Sequence, residues 1–521
     1  MTANSFQHRE RRDRCGVAAS TAVVVLRIAI TFAIASAVFA GCAVGPDFRR
    51  PVPPDTKGYT DTAIVPQTAS APGVGGDAQH FIPVRDIPSQ WWTLFQSKKL
   101  DSLIHRALAG SPTLAASQAA LRQARENRLA QLGALFPAVD GNLNVNRSKY
   151  TGASFGEPNV PGGVFTLYNA SVSLSYTLDL FGGTRRGLEE LKAQIDYQHY
   201  LLEGSYLALT SNIVTAAVQE GSLRSQIRAT KEILKEEEEQ LALVEEQFQL
   251  GGSSLADVLA QRAQLAQARA TLTPLEKQLD QNRHLLAVLA GEPPGNAAAL
   301  PEFELTDLKL LRELPLTLPS LLVRQRPDIL ASEELLHSAC ALIGVATANM
   351  YPQMTISGNY GSQTTVLTDI FSGGTSVWSI AAGLTQPIFR GGELTAKRRA
   401  AIAAYDQAEA QYREVVLQAF QNVADVLRAL EKDAETLKAQ SDAEATAKES
   451  LELARNQYEL GAVSYLVLLN AERQHQQAML TLAQAQAARF ADTAALFQAL
   501  GGGWWNREAA VATRDGINSN N

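Results

Sequence analysis

Residues 247–272 read QFQLGGSSLADVLAQRAQLAQARATL, and residues 457–482 read QYELGAVSYLVLLNAERQHQQAMLTL. The positions that recur 210 residues later include Gln247, Leu250, Gly251, Ser254, Leu259, Gln264, Ala268, Thr271 and Leu272. A second match with a slightly larger offset relates Pro112, Ala116, Ser117, Ala124 and Phe136-Pro137 to Pro327, Ala331, Ser332, Ala339 and Tyr351-Pro352. Self-similarity this long predicts one supersecondary unit used twice, over residues 91–300 and 301–505.

The quoted stretch also predicts where two long helices turn back. In each copy a Leu-Gly-x-x-Ser motif follows a long helical pattern, at Leu250 to Ser254 and at Leu460 to Ser464. Gly suits a left-handed helix end, and Ser suits the N-cap of the next helix. We therefore expect two antiparallel helical hairpins, whose turns we call the first tip (residues 250–254) and the second tip (residues 460–464).

Heptad spacing of apolar residues supports long, packed helices before both tips. The seventh-residue series are Tyr206, Ile213, Glu220, Ile227, Leu234, Leu241 and Phe248, then Val416, Val423, Leu430, Leu437, Glu444, Leu451 and Tyr458. Each series has one polar exception, Glu220 or Glu444, and a seam sustained this far predicts supercoiled helices packed side by side. From Gly187 to Leu250 the first helix would be roughly 95 Å long.

Two segments ahead of the long helices alternate with a period of two. In the first half, Val164 to Leu180 presents one apolar face and one face of small polar residues, after a shorter alternation from Val139 to Val145. In the second half, alternation runs from Met354 to Tyr360 and from Trp378 to Ile388. Long strands of this kind are typical of membrane β-barrels, and a half-buried strand of a soluble protein is the alternative. One β-hairpin per half is expected.

Four strands cannot close a barrel in lipid, because an open edge there leaves backbone groups unsatisfied and the smallest membrane barrels have eight strands. We therefore predict an α+β membrane protein in which three chains share a 12-stranded barrel, four strands from each chain. The barrel would continue into a helical barrel built from the coiled-coil hairpins. The small polar strand face would line its lumen.

The N-terminus has the features of a bacterial export signal. Residues 1–41 combine an Arg-rich start with the apolar stretch Ile28–Phe39, and Phe39-Ala40-Gly41-Cys42 resembles a lipobox, in which Cys42 becomes the lipid-bearing first residue. In such lipoproteins Ala43 rather than Asp after the cysteine implies sorting to the outer membrane. A transmembrane anchor is the alternative, although the uncharged stretch is short for a span. Residues 42–90 are rich in Pro and Gly and predict an extended leader, whereas residues 506–521 predict a disordered tail.

Charge and cysteine content exclude several classes. Net charge is −7, and the first 41 residues contribute +3 through five Arg, one Glu and one Asp, which leaves −10 for the remainder. Such a chain is a poor partner for nucleic acid. Cys340 stands alone in a helical pattern, so no disulfide framework is expected, and it is interpreted as a small buried hydrophobe.

No catalytic, metal or cofactor site is predicted. Gly152 to Gly156 matches a nucleophile-elbow pattern, but it lies in a loop that leads to Pro158 rather than between a strand and a helix. The seven His have no ligand-like spacing, and no phosphate-binding loop precedes a helix. The acidic run Glu236–Glu239 on the long helix is interpreted as a solvated outer face, and an electronegative lumen or partner surface is the alternative.

Several short motifs stand out along the chain. They are Cys42-Ala-Val-Gly-Pro-Asp-Phe-Arg-Arg-Pro51, Trp91-Trp-Thr-Leu-Phe95, Leu322-Val-Arg-Gln-Arg-Pro-Asp-Ile329, Gly344 with Tyr351-Pro352, and Gly461-Ala-Val-Ser-Tyr-Leu466. Together they resemble the TolC-type outer membrane factors, and most closely the lipoprotein branch that serves tripartite multidrug efflux pumps. The resemblance implies a homotrimer anchored in outer membrane lipid and extending across the periplasm. It also implies a passive exit for drugs or other toxic solutes, with a periplasmic adaptor and an inner-membrane pump as partners.

The resemblance also implies roles for residues at the tips. By position, Gly251, Ser254, Gly461 and Ser464 would contact the adaptor, although they could equally be only turn and cap residues. Family members often narrow the entrance with carboxylates on the helix after the second tip. Here those positions are Val467 and Asn470, and Asp257 after the first tip is the nearest carboxylate.

Two alternative functions remain at this stage. One is an outer membrane exit for type I protein secretion, and the other is a coiled-coil envelope tether that has no pore.

Overall fold

The computed structural model describes residues 43–56, 58–83, 86–156, 159 and 161–507. Cys42, the signal segment and most of the predicted tail lie outside these residues. The described chain forms two compact units. Unit 1 comprises the described residues up to Arg49, Ala124–Ile195 and Leu335–Glu409, and unit 2 comprises the remainder. Each unit therefore draws on both halves of the sequence.

The helices follow the predicted order. The main ones are α1 (Lys98–Gly110), α2 (Pro112–Leu132), α3 (Gly183–Gln249), α4 (Leu255–Leu289), α5 (Pro327–Ala348), α6 (Glu393–Glu459) and α7 (Tyr465–Ala499). Helices α3 and α6 both have 67 residues, and α4 and α7 both have 35. Helices α1 and α2 are separated at Ser111, and Trp91–Phe95 forms a 3₁₀ turn of its own before α1.

Unit 1 contains the predicted pair of β-hairpins. Strands β2 (Ala138–Tyr150), β3 (Gly163–Leu178), β5 (Gln353–Thr364) and β6 (Ser376–Thr385) form one antiparallel sheet in the order β2-β3-β5-β6. The second hairpin is therefore attached to the first through β3 and β5, with Val172 opposite Tyr360. Ile388 was expected on β6 but lies beyond its end, because Pro387 lacks the N–H that would continue the ladder.

The N-terminal segment of unit 1 packs closely against α5. Phe48 stacks on His337 with ring centroids 4.4 Å apart, and the Arg186 guanidinium donates to Asp47 at 2.7 Å and to the Val44 carbonyl at 3.3 Å. A Cβ on Gly45 would lie 2.5 Å from the Gly344 Cα, so backbone meets backbone there. These contacts explain the pairing of the Gly-Pro-Asp-Phe and Gly344 motifs in the sequence.

Unit 2 holds the largest hydrophobic core. It gathers Trp91, Trp92 and Phe95 of the 3₁₀ turn with buried apolar residues of α1, α3, α6 and α7. Trp91 stacks on Phe497 with centroids 5.3 Å apart. The leader contributes a short strand, β1 (His80–Pro83), which pairs in parallel with β4 (Glu313–Leu316). The leader therefore contributes one strand to the fold of unit 2.

The heptad prediction is confirmed for α6 and only partly for α3. On α6 the seam residues Val416, Val423, Leu430, Leu437 and Leu451 are buried, and the last apolar member, Tyr458, is half-buried. On α3 the seam holds at Ile213 and Ile227, but toward the first tip Leu234 is half-buried and Phe248 is 43% exposed. The buried positions there are Ile233, Glu237 and Val244. Their span of eleven residues fits a helix with little left-handed supercoil, from which a strict heptad drifts away.

Both polar exceptions in the heptads form links within their own hairpin. Glu220 on α3 is fully buried and pairs with Arg283 on α4 at 2.7 Å and with Arg224 at 2.8 Å. Glu444 on α6 contacts His475 on α7 at 3.3 Å. An unpaired buried charge would be strongly destabilising, so these partners explain how the seams tolerate carboxylates.

Two helices among the described residues are long and apolar enough to cross a membrane, α3 and α5. Their most apolar windows are 50% and 72% buried within the fold, as expected of core helices. Cys340 on α5 is buried as predicted, and burial raises the pKa of its thiol.

Candidate functional site: the hairpin tips and the outer face of the sheet

Both tips have the same backbone turn. Gly251 and Gly461 have positive φ values, +80° and +71°, which favour glycine. In the first tip the Gly252 N–H donates to the Gln247 carbonyl at 2.8 Å, and in the second the Ala462 N–H donates to the Gln457 carbonyl at 2.8 Å. This bond, from the second residue past the helix end back into its last turn, is the Schellman pattern. The predicted glycine caps are confirmed.

The return helices start differently at the two tips. Ser254 and Asp257 form a reciprocal capping box, in which Ser254 Oγ accepts from the Asp257 N–H at 3.2 Å and Asp257 Oδ2 accepts from the Ser254 N–H at 3.0 Å. Hydrogen bonds from the Ser254 hydroxyl and N–H lower the pKa of Asp257. Ser464 occupies the same position at α7, but its side chain makes no capping bond, contrary to the expectation.

Below the tips the two hairpins are joined by a small apolar cluster. It contains Val244, Val258, Leu451, Ala454, Tyr465, Leu468 and Ala471, contributed by α3, α4, α6 and α7. Tyr458 adds a polar link between hairpins, since its hydroxyl donates to Gln247 Oε1 at 3.2 Å. Arg455 on α6 lies 3.5 Å from Glu236 on α3.

The tips themselves are apolar and exposed. Leu250 and Leu460 are 80% and 84% exposed, and Leu255, Leu259 and Leu466 are exposed beside them. Apolar side chains grouped at the end of a helical hairpin mark a surface suited to a protein partner.

In unit 1 the sheet register aligns apolar residues on one face across all four strands. Gly141, Val172, Tyr360 and Trp378 form one row, and Val139, Leu174, Gly358 and Ile380 form the next. Leu143, Tyr360, Trp378 and Ile380 are strongly exposed on this face. The neighbouring rows carry small polar residues, and the Asn142 amide donates to Ser173 Oγ at 2.9 Å. An exposed apolar face opposite a polar one suits a lipid boundary.

Comparison with known proteins identifies the family. The model of the family described as "Outer membrane efflux protein" matches residues 103–292 and 318–502. The chain belongs to the outer membrane efflux protein family.

Curated relatives and a solved structure agree with that assignment. The pyoverdine export outer membrane protein OpmQ of Pseudomonas aeruginosa is 31% identical over 433 residues, which cover 82% of this chain and 90% of OpmQ. The probable efflux pump outer membrane protein TtgC of Pseudomonas putida is 28% identical and covers 94% of this chain and 99% of its own. The solved structure of the outer membrane channel OprN superposes with a TM-score of 0.79 at 28% identity, covering 89% of this chain and all of OprN.

The family and the fold are those of outer membrane channels of the TolC type, not of enzymes. This efflux protein is accordingly an outer membrane channel component that extends into the periplasm. Among the residues that the structure describes, no cluster of three or more His, Cys, Asp or Glu could hold a metal ion. The Gly152 motif lies in the loop between β2 and β3, which gives the nucleophile-elbow match no strand-to-helix context.

The predicted entrance residues of this efflux protein do not share one environment. Val467 and Asn470 are exposed on the first turns of α7. Asp257 is half-buried, and its Oδ2 is engaged in the capping box. Their role in a constriction stays a prediction, as does the role of Gly251, Ser254, Gly461 and Ser464 in adaptor contact.

A buried polar cluster just behind the tips was not predicted from the sequence. Glu237 was interpreted as part of a solvated acidic run, and this is wrong: its neighbours Glu236, Glu238 and Glu239 are exposed, but Glu237 is 2% exposed. Gln261 and Glu472 are buried beside it. The helical spacing indicates this burial, since Glu237 follows the buried Ile233 by four residues and precedes the buried Val244 by seven.

Proposed function

We propose that three copies of this chain close one 12-stranded outer membrane barrel and one periplasmic helical barrel. The observation that carries this proposal is the four-stranded sheet, in which β2 and β6 have no further strand partner among the described residues. Open edges in lipid would leave their backbone groups unsatisfied, so the edge strands need partners. Pairing β6 of one chain with β2 of the next removes both edges.

The two sheet faces support one orientation of the strands in this assembly. The rows that include Val172, Trp378 and Ile380 face lipid, and the rows that include Asn142, Ser173 and Thr355 line the lumen. A lumen of small polar side chains offers no strong binding site, which suits passive exit of many solutes. The two matching helical hairpins of each chain, an internal two-fold repeat, supply the wall of the periplasmic barrel.

We assign the tips to docking of a periplasmic adaptor, which couples the channel to an inner-membrane pump. The exposed leucines at both tips support this role, because they would otherwise remain in water. The solutes that leave through the channel are drugs or other toxic small molecules, a class supported by two relatives that are named as antibiotic and toluene efflux pump outer membrane proteins. Cys42, outside the described residues, is the proposed lipid attachment site.

The first experiment is the detergent-corrected mass of the mature protein extracted from membranes. A trimer supports shared closure, whereas a stable monomer would leave the edges of β2 and β6 open and contradict it.

Planar bilayer conductance then tests the entrance. Val467→Asp and Asn470→Asp should reduce anion passage relative to cation passage, because added carboxylates at a narrow entrance repel anions. Unchanged ion selectivity in both variants would remove these positions from the constriction.

A further inference from the structure

Four helices of unit 2 enclose a polar cluster just behind the apolar contacts that join the tips. The cluster consists of Glu237 on α3, Gln261 on α4, and Tyr465, Glu472 and Gln476 on α7. Glu237, Gln261, Tyr465 and Glu472 are each more than nine-tenths buried. Burial of two carboxylates in one cluster is costly unless hydrogen bonds or protons compensate them.

Glu237 is fully hydrogen-bonded as a carboxylate. Its Oε2 accepts from the Gln261 amide at 2.5 Å, and its Oε1 accepts from the Gln476 amide at 2.6 Å. The Tyr465 hydroxyl donates to Gln261 Oε1 and so fixes the direction of that amide. An ionised carboxylate only accepts hydrogen bonds, so these donors favour the charged form of Glu237.

Glu472 has a different environment. It is 7% exposed, and its Oε2 has no hydrogen-bond partner. It lines a cavity of about 170 Å³ together with Glu237, His475 and Gln476. A buried carboxylate without donors is disfavoured in its charged form, whereas the protonated acid loses much less by burial.

The charged neighbours of Glu472 come from two helices besides its own. Helix α3 contributes Glu232, Glu236 and Glu237, and α7 contributes His475. Helix α6 contributes Arg455, the cation that acts on Glu472, but this guanidinium lies 3.5 Å from Glu236. Helix α4 contributes the neutral Gln261 and Gln264, the latter bonded to Gln476 at 3.0 Å. The surroundings of Glu472 are therefore mainly negative.

The sequence repeat makes the arrangement at Glu472 unusual. The offset of 210 relates Glu245 and Arg262 of the first hairpin to Arg455 and Glu472 of the second, with the signs exchanged. Glu245 and Arg262 form an exposed ion pair at 2.7 Å. In the second hairpin Arg455 lies beside Glu236 instead of Glu472, and Glu472 remains buried.

We propose that Glu472, with Glu237 beside it, is a proton-operated latch between the two hairpins. While Glu472 holds a proton, the four helices pack closely and the tips stay together. When the proton is lost, two buried charges face each other, and separation of α7 from α3 hydrates both. The opening of the periplasmic end then depends on pH.

Burial, followed by the charge of Glu237, raises the pKa of Glu472 to about 7. Burial also raises the pKa of Glu237. Because the pKa of Glu472 in the packed state exceeds its value of 4.5 in water, the packed state binds the proton more tightly. The protonated Glu472 stabilises the packed state fully at low pH. This stabilisation declines as pH rises and is lost once pH exceeds the pKa of Glu472 in the packed state. The latch is accordingly closed in acid and released above about pH 7.

The test compares full-length wild-type protein with Glu472→Gln from about pH 5 to about pH 9. Nitroxide labels at Ala256 and Leu466, on exposed positions near the two tips, report tip separation by pulsed electron spin resonance. Infrared difference titration reports the protonated carboxylic acid. In the wild type both signals should change with a midpoint at about pH 7, and in Glu472→Gln the tips should stay together throughout. Glu237→Gln should lower the midpoint, because it removes the negative charge beside Glu472.

Glu245→Gln is the matched control, since it removes an exposed carboxylate of α3 near the first tip and should leave the midpoint unchanged. A pH response in Glu472→Gln equal to that of the wild type would overturn the latch, and so would a Glu472 titration that leaves the tip distance constant. Conductance in a planar bilayer is measured last, because only that readout rests on the proposed closure of the barrel by three chains. Tip separation that follows Glu472 without any conductance would uphold the latch and contradict that closure.

Discussion

The two tips contain the same serine in the same place, but only one of these side chains bonds to the backbone. Ser254 forms a capping box with Asp257, whereas the residue three positions after Ser464 is Val467, which has no acceptor to return. A capping box needs an N-cap side chain and an acceptor side chain three residues later. The second tip therefore has the same glycine turn as the first but lacks the reciprocal hydrogen bonds. The tips therefore differ in stability at their first helical turn.

This difference predicts unequal effects of alanine at the two positions. Ser254→Ala should destabilise the start of α4 by about 1 kcal/mol, because it removes the acceptor for the Asp257 N–H. Amide hydrogen exchange at the first turn of α4 should then be about fivefold faster. Ser464→Ala is the matched control and should change exchange at α7 very little. Equal acceleration in both variants would contradict the role assigned to the capping box.

A second residue-scale prediction concerns the contact between the N-terminal segment and α5. Gly45 has a φ of +101°, and a Cβ there would lie 2.5 Å from the Gly344 backbone. Gly45→Ala should destabilise unit 1 by about 1–3 kcal/mol and expose the segment to protease. Gly58→Ala, whose Cβ would meet nothing within 4 Å, is the control and should resist protease like the wild type. Undiminished protease resistance in Gly45→Ala would show that the contact is not tight.

Residue by residue, the sequence was informative where backbone conformation decides the outcome. Gly251 and Gly461 were recognised because a left-handed helix end selects glycine. The partners of buried polar side chains were not recognised, since Glu237 and Gln261 meet only when two helices pack. A run of four Glu predicts a solvated surface unless it is known which face of α3 is buried.

At the scale of elements, the seam of α3 combines an apolar line with one buried ion pair. Glu220 is fully buried against Arg283 on α4 and Arg224 on its own helix. The heptad pattern located Glu220, but it contained no information about which basic residue would reach it. On α3 the pattern also failed near the first tip, because a regular helix drifts from a seven-residue repeat unless it supercoils.

Removing this buried carboxylate should weaken the first hairpin far more than removing an exposed one. Glu220→Leu should cost about 3–5 kcal/mol, because the largely buried Arg283 would keep its charge without this carboxylate, whereas Arg224 would retain Glu302 at 3.1 Å. Glu238→Ala breaks an exposed pair with Arg269 that also joins α3 to α4, and it should cost less than about 1 kcal/mol. Thermal unfolding followed by circular dichroism compares the two. Similar melting temperatures for both variants would show that the Glu220 pair adds little.

At the scale of the whole molecule, a periodicity of two was enough to predict both hairpins and their apolar face. It did not predict that β3 would pair with β5, since the two strands are separated by the whole first helical hairpin. It also gave no pairing for the outer edges of β2 and β6, which a single chain leaves without strands in the described sheet. In the proposed trimer those edges are closed by neighbouring chains, and one sequence specifies such closure only through the cost of leaving the edges open.

The assignment of the sheet faces yields the last prediction. Ile380→Arg places a charge on the apolar row that we assign to lipid, and it should destabilise the membrane-inserted state by about 2–4 kcal/mol if the residue lies near the bilayer centre. Ser379→Arg, one residue away, points to the opposite face and should insert almost as well as the wild type, because the lumen is hydrated. Folding into lipid vesicles, followed by heat-dependent mobility of the assembled protein on gels, measures the inserted fraction. If Ser379→Arg failed to insert while Ile380→Arg succeeded, the faces would be reversed, with the apolar rows in the lumen and the polar rows toward lipid.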